Sequence, residues 1–244
     1  MKIDVIPYAS AIRTERISGR NAVVIDVLRA GSVMVTAMSN GARAFLPVVS
    51  VEEAVQVAEK MEGNFLLAGE RDTKLIPGFH LGNSPLEYTA DRVKGKTIIL
   101  TTSNGTRALN ALREASRVFI GTFLNSNALV DKLLALDDVV LVCSGTNDDY
   151  SMDDGMFAAQ VIHRIVQQKK AHLSDLAQSL LQAYESKNGN LKELLQGCYH
   201  LNLLVRNGFE KDVEYCLQTD KLSLVPELIE GSICVPGYET TLKT

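Results

Sequence analysis

Lys96-Thr97-Ile98-Ile99-Leu100-Thr101-Thr102-Ser103-Asn104-Gly105-Thr106-Arg107 is the stretch that decides the fold. An apolar, β-branched run enters a short polar loop with one glycine, and a helical pattern, Ala108 to Glu114, leaves it. Strand, tight loop and helix in that order form the repeating unit of a parallel sheet. The loop gathers hydroxyls, a Gly-freed backbone and helix N-terminal amides at one point, which is what an anion requires. Arg107 adds a planar donor fork suited to phosphate or carboxylate. The alternative reading of the same residues is a helix cap, with Ser103 or Asn104 accepting from orphan N–H groups.

Working outward, strand-length apolar runs occur at Lys2–Ile6, Ala22–Leu28, Ala44–Val49, Phe65–Ala68, Thr97–Thr101, Arg117–Gly121, Val139–Cys143 and Ser232–Val235. They are rich in Val, Ile and Leu without alternation, as strands covered on both faces are. Helical patterns separate most of them: Ser32–Ser39, Ser50–Met61 (Ser50 and Glu53 spaced as a capping box), Gly105–Glu114, Asn125–Leu136 and Ser151–Gln168. The alternation predicts an α/β fold, a largely parallel sheet with helices on both faces and ligands at the carboxyl ends of the strands. From Ser174 to Asp220 the pattern is helical, with breaks at Lys187–Asn190 and Asn207-Gly208. No linker composition sets this tail apart, so residues 1–244 read as one domain with extra C-terminal helices packed on it.

Composition narrows the function. The net charge is −4 with both signs interspersed, and no basic stripe is present, which argues against a nucleic-acid partner. No apolar run is long enough for a transmembrane helix, and Met1–Ile6 begins as a strand rather than a signal peptide. Cys143, Cys198, Cys216 and Cys234 lack metal or disulfide spacing, so the reducing cytoplasm is the expected setting.

The chemistry is concentrated at strand ends. Asp26 sits within an apolar run, where a carboxylate is costly unless paired or metal-bound, and Arg29 follows it. Either the two form an internal ion pair, or Asp26 is a metal ligand or nucleophile beside an anion-binding Arg29. Gly69-Glu70-Arg71 repeats this acid–base arrangement. Ile76 to Pro85 holds two Gly and two Pro, with Ser84 before Pro85 as a helix start and His80 as a structural or rim residue. The run Val142 to Asp154 ends in four carboxylates, Asp148, Asp149, Asp153 and Asp154. Clustered hard oxygens suit Mg²⁺, which keeps waters and binds phosphate; the alternative is capping, Ser151 with Asp154 imitating a capping box. A small anionic phosphorylated partner follows. The known loops do not match: Asp149, not Arg, stands six residues after Cys143, Leu28 stands two after Asp26, and neither Gly-x-x-x-x-Gly-Lys-Ser/Thr nor Gly-x-Gly-x-x-Gly occurs.

Val24 to Ala30, Gly69-Glu70-Arg71, Gly78-Phe79 with Gly82-Asn83-Ser84-Pro85, Thr101 to Thr106 and Phe123-Leu124-Asn125 together resemble the 2-phosphosulfolactate phosphatase family. Cys143-x-Gly145, Ser151–Asp154, Gly208, Asp212, Cys216 and Val225-Pro226 extend the resemblance along nearly the whole chain. It implies a three-layer α/β/α fold and Mg²⁺-dependent hydrolysis of 2-phospho-3-sulfolactate, or a related 2-hydroxy-acid phosphate ester, on a route to coenzyme M. Arg29, Arg71 and Arg107 are then the partners of phosphate, carboxylate and sulfonate, with Ser32, Asn83, Ser84, Thr102, Asn104, Gly105, Thr106 and Asn125 completing the substrate-binding set. Asp26, Glu70 and Asp154 are the expected metal ligands. Asp26 and Arg29 are catalytic, and Asp153 positions or deprotonates water. If a phosphoenzyme forms, Asp26 is a better nucleophile than Cys143, which reads as a small core residue. The chain departs from the resemblance at Gly31, His80, Ser103, Asp153 and Ala159. A phosphotransferase, a lyase or a non-catalytic anion-binding module are the rival classes, and homo-oligomerisation stays open.

Overall fold

The computed structural model describes residues 1–71, 73–102 and 105–237, without the side chains of residues 105–107. Eleven strands among these residues form one mixed sheet. They are β1 (Lys2–Ile6), β2 (Asn21–Ile25), β3 (Ala44–Pro47), β4 (Phe65–Arg71), β5 (Lys74–Leu75), β6 (Thr97–Thr101), β7 (Arg117–Gly121), β8 (Asp138–Cys143), β9 (His172–Leu173), β10 (Glu227–Ile229) and β11 (Ser232–Cys234). Their order is β5-β4-β6-β3-β11-β10-β7-β2-β8-β1-β9. β4, β6 and β3 run parallel, and so do β7, β2, β8, β1 and β9. The antiparallel hairpin β10–β11 lies between these two groups and joins them. The sequence showed only the second arm of this hairpin. Glu227, buried at the start of β10, holds the insertion by accepting from Arg117 at 2.9 Å and Lys132 at 2.7 Å.

The three layers follow from the two faces of the strands. Val23 and Ile25 of β2, with Val139, Leu141 and Cys143 of β8, enter one core, while Ala22, Val24, Val140 and Val142 enter the other. Each such Val or Ile gains about 1.5–3 kcal/mol by burial, so neither face can stay bare. The second core is closed by α2 (Ala30–Ser39) and α5 (Gly105–Ala111), with the short α1 (Thr14–Ile17) and α4 (Ala90–Val93) at its margin. The first is closed by α6 (Ser126–Leu134), α7 (Met152–Val166) and α8 (Asp175–Glu185), and α3 (Val51–Lys60) covers a smaller cluster around Ile99. The tail continues as α9 (Leu191–Leu194), α10 (Tyr199–Arg206) and α11 (Glu210–Cys216), whose Leu195, Leu204, Val213 and Cys216 join the first core. The tail is therefore packed on the same sheet.

Local signals behave as chemistry requires. The Ser50 hydroxyl accepts from the Glu53 N–H at 3.0 Å, and Ser174 caps α8 through Ala177. Gly208, at φ +83°, ends α10 in the left-handed region that glycine tolerates. Two expected strands stop early, β2 at Ile25 and β3 at Pro47, because their next residues turn into loops. β4 runs on to Arg71 instead of ending at Ala68. Among the described residues no helix is long and apolar enough to cross a membrane.

Candidate active site

The carboxyl ends of β2, β4, β6 and β8 surround a cavity of about 120 Å³. Asp26 and Arg29 follow β2, Glu70 closes β4, Thr102 follows β6, and Thr146 follows β8. Asn83 completes the wall, and His200 and Leu203 of α10 roof it. A larger cavity of about 380 Å³ lies at the opposite end of β7, around Arg113 and Arg117. It has no comparable set of acids, and in parallel sheets ligands bind at strand carboxyl ends.

Asp26 is 7% exposed and does not pair with Arg29. One of its oxygens accepts from the Ala30 N–H at 2.9 Å. Burial first, then the charges of Asp153 and Glu70, push its carboxyl up to about 7. Arg29 turns away to the tail. Its guanidinium donates to Asp212 at 2.7 Å and stacks 4.0 Å from the centre of the Phe209 ring. The Asp212 carboxylate also accepts from the Ser84 hydroxyl at 2.7 Å. The Asp26–Arg29 ion pair considered from the sequence is thus replaced by Arg29–Asp212, a partner 183 residues away. The Leu28–Arg29 peptide between them is cis.

Asp154 is nearly inaccessible, and each of its oxygens holds a loop: one accepts from the Val27 N–H at 2.9 Å, the other from Gly145 at 3.0 Å. Burial and the neighbouring Asp153 and Asp26 raise it well above the usual carboxylate range. Ser151 does not cap α7 with its side chain; its hydroxyl donates to Asp153. The capping-box reading of Ser151 with Asp154 is therefore not realised. The second oxygen of Asp153 is buried without a partner, and so is Asn83 Oδ1. Glu70 accepts from the Thr73 N–H at 3.0 Å.

The remaining residues singled out in the sequence divide clearly. Ser32 is fully buried and donates to the Val27 carbonyl at 2.7 Å, away from the cavity wall. Asn125 is also fully buried and holds Thr122, Ile120 and Leu224 backbone groups, so it fixes the tail against β7. Arg71 donates to the Glu70 carbonyl and to the Thr101 hydroxyl. Asn104 lies outside the described residues, as does Ser103. Gly105, Thr106 and Arg107 begin α5, and their side chains lie outside the description as well. His80 accepts from the Leu67 N–H at 3.0 Å, an edge contact with no place in the site. Cys143 is a core residue whose thiol burial pushes up, which opposes a thiolate. Gly31 has a steric reason here. A Cβ on it would stand 2.5 Å from the Asp26 carbonyl oxygen.

His200 escaped the sequence reading. It stands in a helical tail whose apolar periodicity dominates, with no neighbouring motif. Its Nδ1 lies 3.0 Å from the Thr146 hydroxyl. Burial lowers its basicity, and the Asp153 charge works against that shift.

Four acids, Asp26, Glu70, Asp153 and Asp154, thus gather where, among the described side chains, the buried cation Arg29 is already neutralised by Asp212. Among the described residues no three His, Cys, Asp or Glu side chains converge closely enough to form a complete metal cage. Mg²⁺ does not need one, since it is usually held by one or two carboxylates with water and phosphate oxygens. The unpartnered Asp153 oxygen, the Asn83 oxygen and the mutually raised acids are hard donors with surplus negative charge, and they fit such an ion.

The chain matches the family model described as 2-phosphosulpholactate phosphatase over residues 7–231. It belongs to that family. A probable 2-phosphosulfolactate phosphatase of Clostridium novyi (strain NT) is 40% identical over 93% of this chain and 97% of its own length. One of the same description from Clostridium perfringens (strain 13 / Type A) is 43% identical over 96% of both chains. Another, from Thermotoga petrophila, is 42% identical over 87% of this chain and 90% of its own. The resemblance carried by the strand-end residues is therefore a family relationship over residues 7–231, which hold the strand-end site residues and the tail beside them.

Proposed function

We propose that this chain is a Mg²⁺-dependent phosphoric monoester hydrolase that converts 2-phospho-3-sulfolactate, or a closely related 2-hydroxy-acid ester, to the free acid and phosphate. The observation that carries this reading is the surplus of buried acid around the strand-end cavity, in a member of the 2-phosphosulfolactate phosphatase family. An ester with three anionic groups entering a wall that carries Asp26 and Glu70 is repelled unless a cation offsets the charge. Asp26 and Glu70, which reach the cavity, would hold the ion, and Asp154 would fix the loops and add charge. An ion held by these residues would supply charge neutralisation for the phosphate group. Asn83 and Thr102 line the wall and offer polar atoms to the ester. Arg29 also lines the cavity, with its guanidinium held by Asp212 and Phe209. The proposed setting is the reducing cytoplasm, where the four buried free thiols persist.

The test is phosphate release from racemic 2-phospho-3-sulfolactate, with phospholactate as comparison, in Mg²⁺ and then in EDTA. Metal-dependent release favouring the sulfonate is expected. Release of no phosphate from either ester by folded protein in Mg²⁺ would refute the proposal, and transfer of phosphate to an acceptor would make the chain a phosphotransferase.

A further inference from the structure

We infer that His200 takes the proton from the water that attacks phosphorus. The inference rests on the ester-hydrolysis reading above. His200 of α10 lines the cavity together with Asp26, Glu70 and Arg29. A chain of hydroxyls connects its ring to Asp153. His200 Nδ1 lies 3.0 Å from Thr146 Oγ1, Thr146 Oγ1 donates to Ser151 Oγ at 3.4 Å, and Ser151 Oγ donates to Asp153 Oδ1.

The direction of this chain is set from its far end. A carboxylate only accepts, so the single Ser151 proton goes to Asp153. Ser151 must then accept from Thr146, whose own proton is thereby used. Thr146 can only accept from His200, so Nδ1 carries the ring proton. The Nε2 lone pair is left for the cavity. A carboxylate that fixes a histidine tautomer through its far nitrogen is a recurring device for presenting a base, and here two hydroxyls extend it. Asp153 is accordingly a positioning residue at the end of the relay. Burial, with the Arg29 charge, lowers the basicity of the ring, and the negative charges of Asp153 and Glu70 offset part of that once it takes up a proton.

The step balances as follows. The water oxygen bonds to phosphorus while its proton passes to His200 Nε2. The phosphorus–ester oxygen bond breaks, and its electron pair stays on the ester oxygen. That alkoxide is protonated from bulk water, and His200 returns its proton to bulk, so one water is consumed and hydrogen phosphate and the alcohol form.

Two measurements test this. In saturating Mg²⁺, His200→Asn should lower kcat on the order of 100-fold with KM within about threefold. His200→Ala should recover roughly tenfold on addition of imidazole, which leaves wild type unchanged. Wild-type kcat in folded His200→Asn would overturn the assignment while leaving the hydrolase reading intact. Absence of turnover by wild type would overturn the hydrolase reading and the base with it. The second measurement needs no variant: ¹⁵N spectra of histidine-labelled protein should show the Nδ1–H tautomer for His200 and a shift of its Nε2 resonance on adding inorganic phosphate. An Nε2–H tautomer would overturn the relay.

Discussion

Replacing Asp212 by Asn removes the charge that neutralises Arg29, and the consequences can be worked from the contacts. The two side chains are 2% and 5% exposed, so water cannot substitute for either. Asp212 uses one oxygen for Arg29 and the other for the Ser84 hydroxyl, each at 2.7 Å. An amide has only one oxygen, so one of these two donors faces an NH₂ group whichever way it turns. The Thr73 carbonyl already accepts from the guanidinium at 3.4 Å, and being neutral it cannot replace the lost charge. The Phe209 ring remains and keeps a cation–π contribution of about 1–2 kcal/mol. Stranding one member of a buried pair typically costs about 3–5 kcal/mol. For a chain of this size each kcal/mol moves Tm by roughly 2–4 °C, so a fall of roughly 6–20 °C is expected. Thermal and urea unfolding followed by circular dichroism would measure it. Combining Arg29→Met with Asp212→Leu should cost less than the two single changes added, because no unpaired charge is then buried. A loss below about 1 kcal/mol in Asp212→Asn, or additivity within about 0.5 kcal/mol in the cycle, would refute the assignment of this pair as the tie between tail and site.

Asp26→Asn keeps an acceptor for the Ala30 amide and should retain the fold while abolishing phosphate release; wild-type turnover in that variant would remove Asp26 from the mechanism. Because the folded-state value of Asp26 is raised to about 7, its contribution to stability is full below about pH 4 and is lost as pH rises through about 7 without a divalent cation, and the raised Asp154 acts in the same direction. Mg²⁺ binds the ionised forms, so its Tm increment should be larger at pH 8 than at pH 5.5, and an equal increment at both would contradict the acid site. Gly31→Thr should destabilise by about 1–3 kcal/mol, since its Cβ meets the Asp26 carbonyl oxygen at 2.5 Å; a variant of unchanged Tm would show that the α2 start yields freely.

The layered sheet was legible because it is written locally. Short β-branched apolar runs without alternation, such as Val139–Cys143, read as strands covered on both faces, and Ser50 or Ser174 marks a helix start within four residues. Asp26, Glu70 and Asp154 were legible as expensive acids at strand ends. Their partners were not. Whether Arg29 pairs with Asp26 or with Asp212 depends on where a helix 183 residues later comes to rest, and no local pattern encodes that. The hairpin β10–β11 escaped for the same reason: three-residue strands have little periodicity, and their place between β3 and β7 comes from long-range pairing and the Glu227 contacts.

The tail therefore does more than cover the sheet: it sets the sign of the cavity. If Arg29 faced Asp26, the two would cancel and the acids would need no further counter-charge. Asp212 and Phe209 instead draw the guanidinium aside, and Ser84 holds Asp212 in place. Asp26 and Asp154 are left to raise one another, with Asp153 adding to both. A site built in this way favours protons or a cation over a bare anion. If the proposed hydrolysis holds, a phosphate ester would enter such a wall together with a positive ion, and binding of the two is then predicted to be positively coupled, each tightening the other by the same factor. The tail also brings His200, so one segment supplies both the charge imbalance and the ring that faces it. On the proposed function, shifting α10 and α11 is predicted to disturb cation affinity and proton transfer together, whereas a change in the α3 cluster around Ile99 is predicted to affect stability alone.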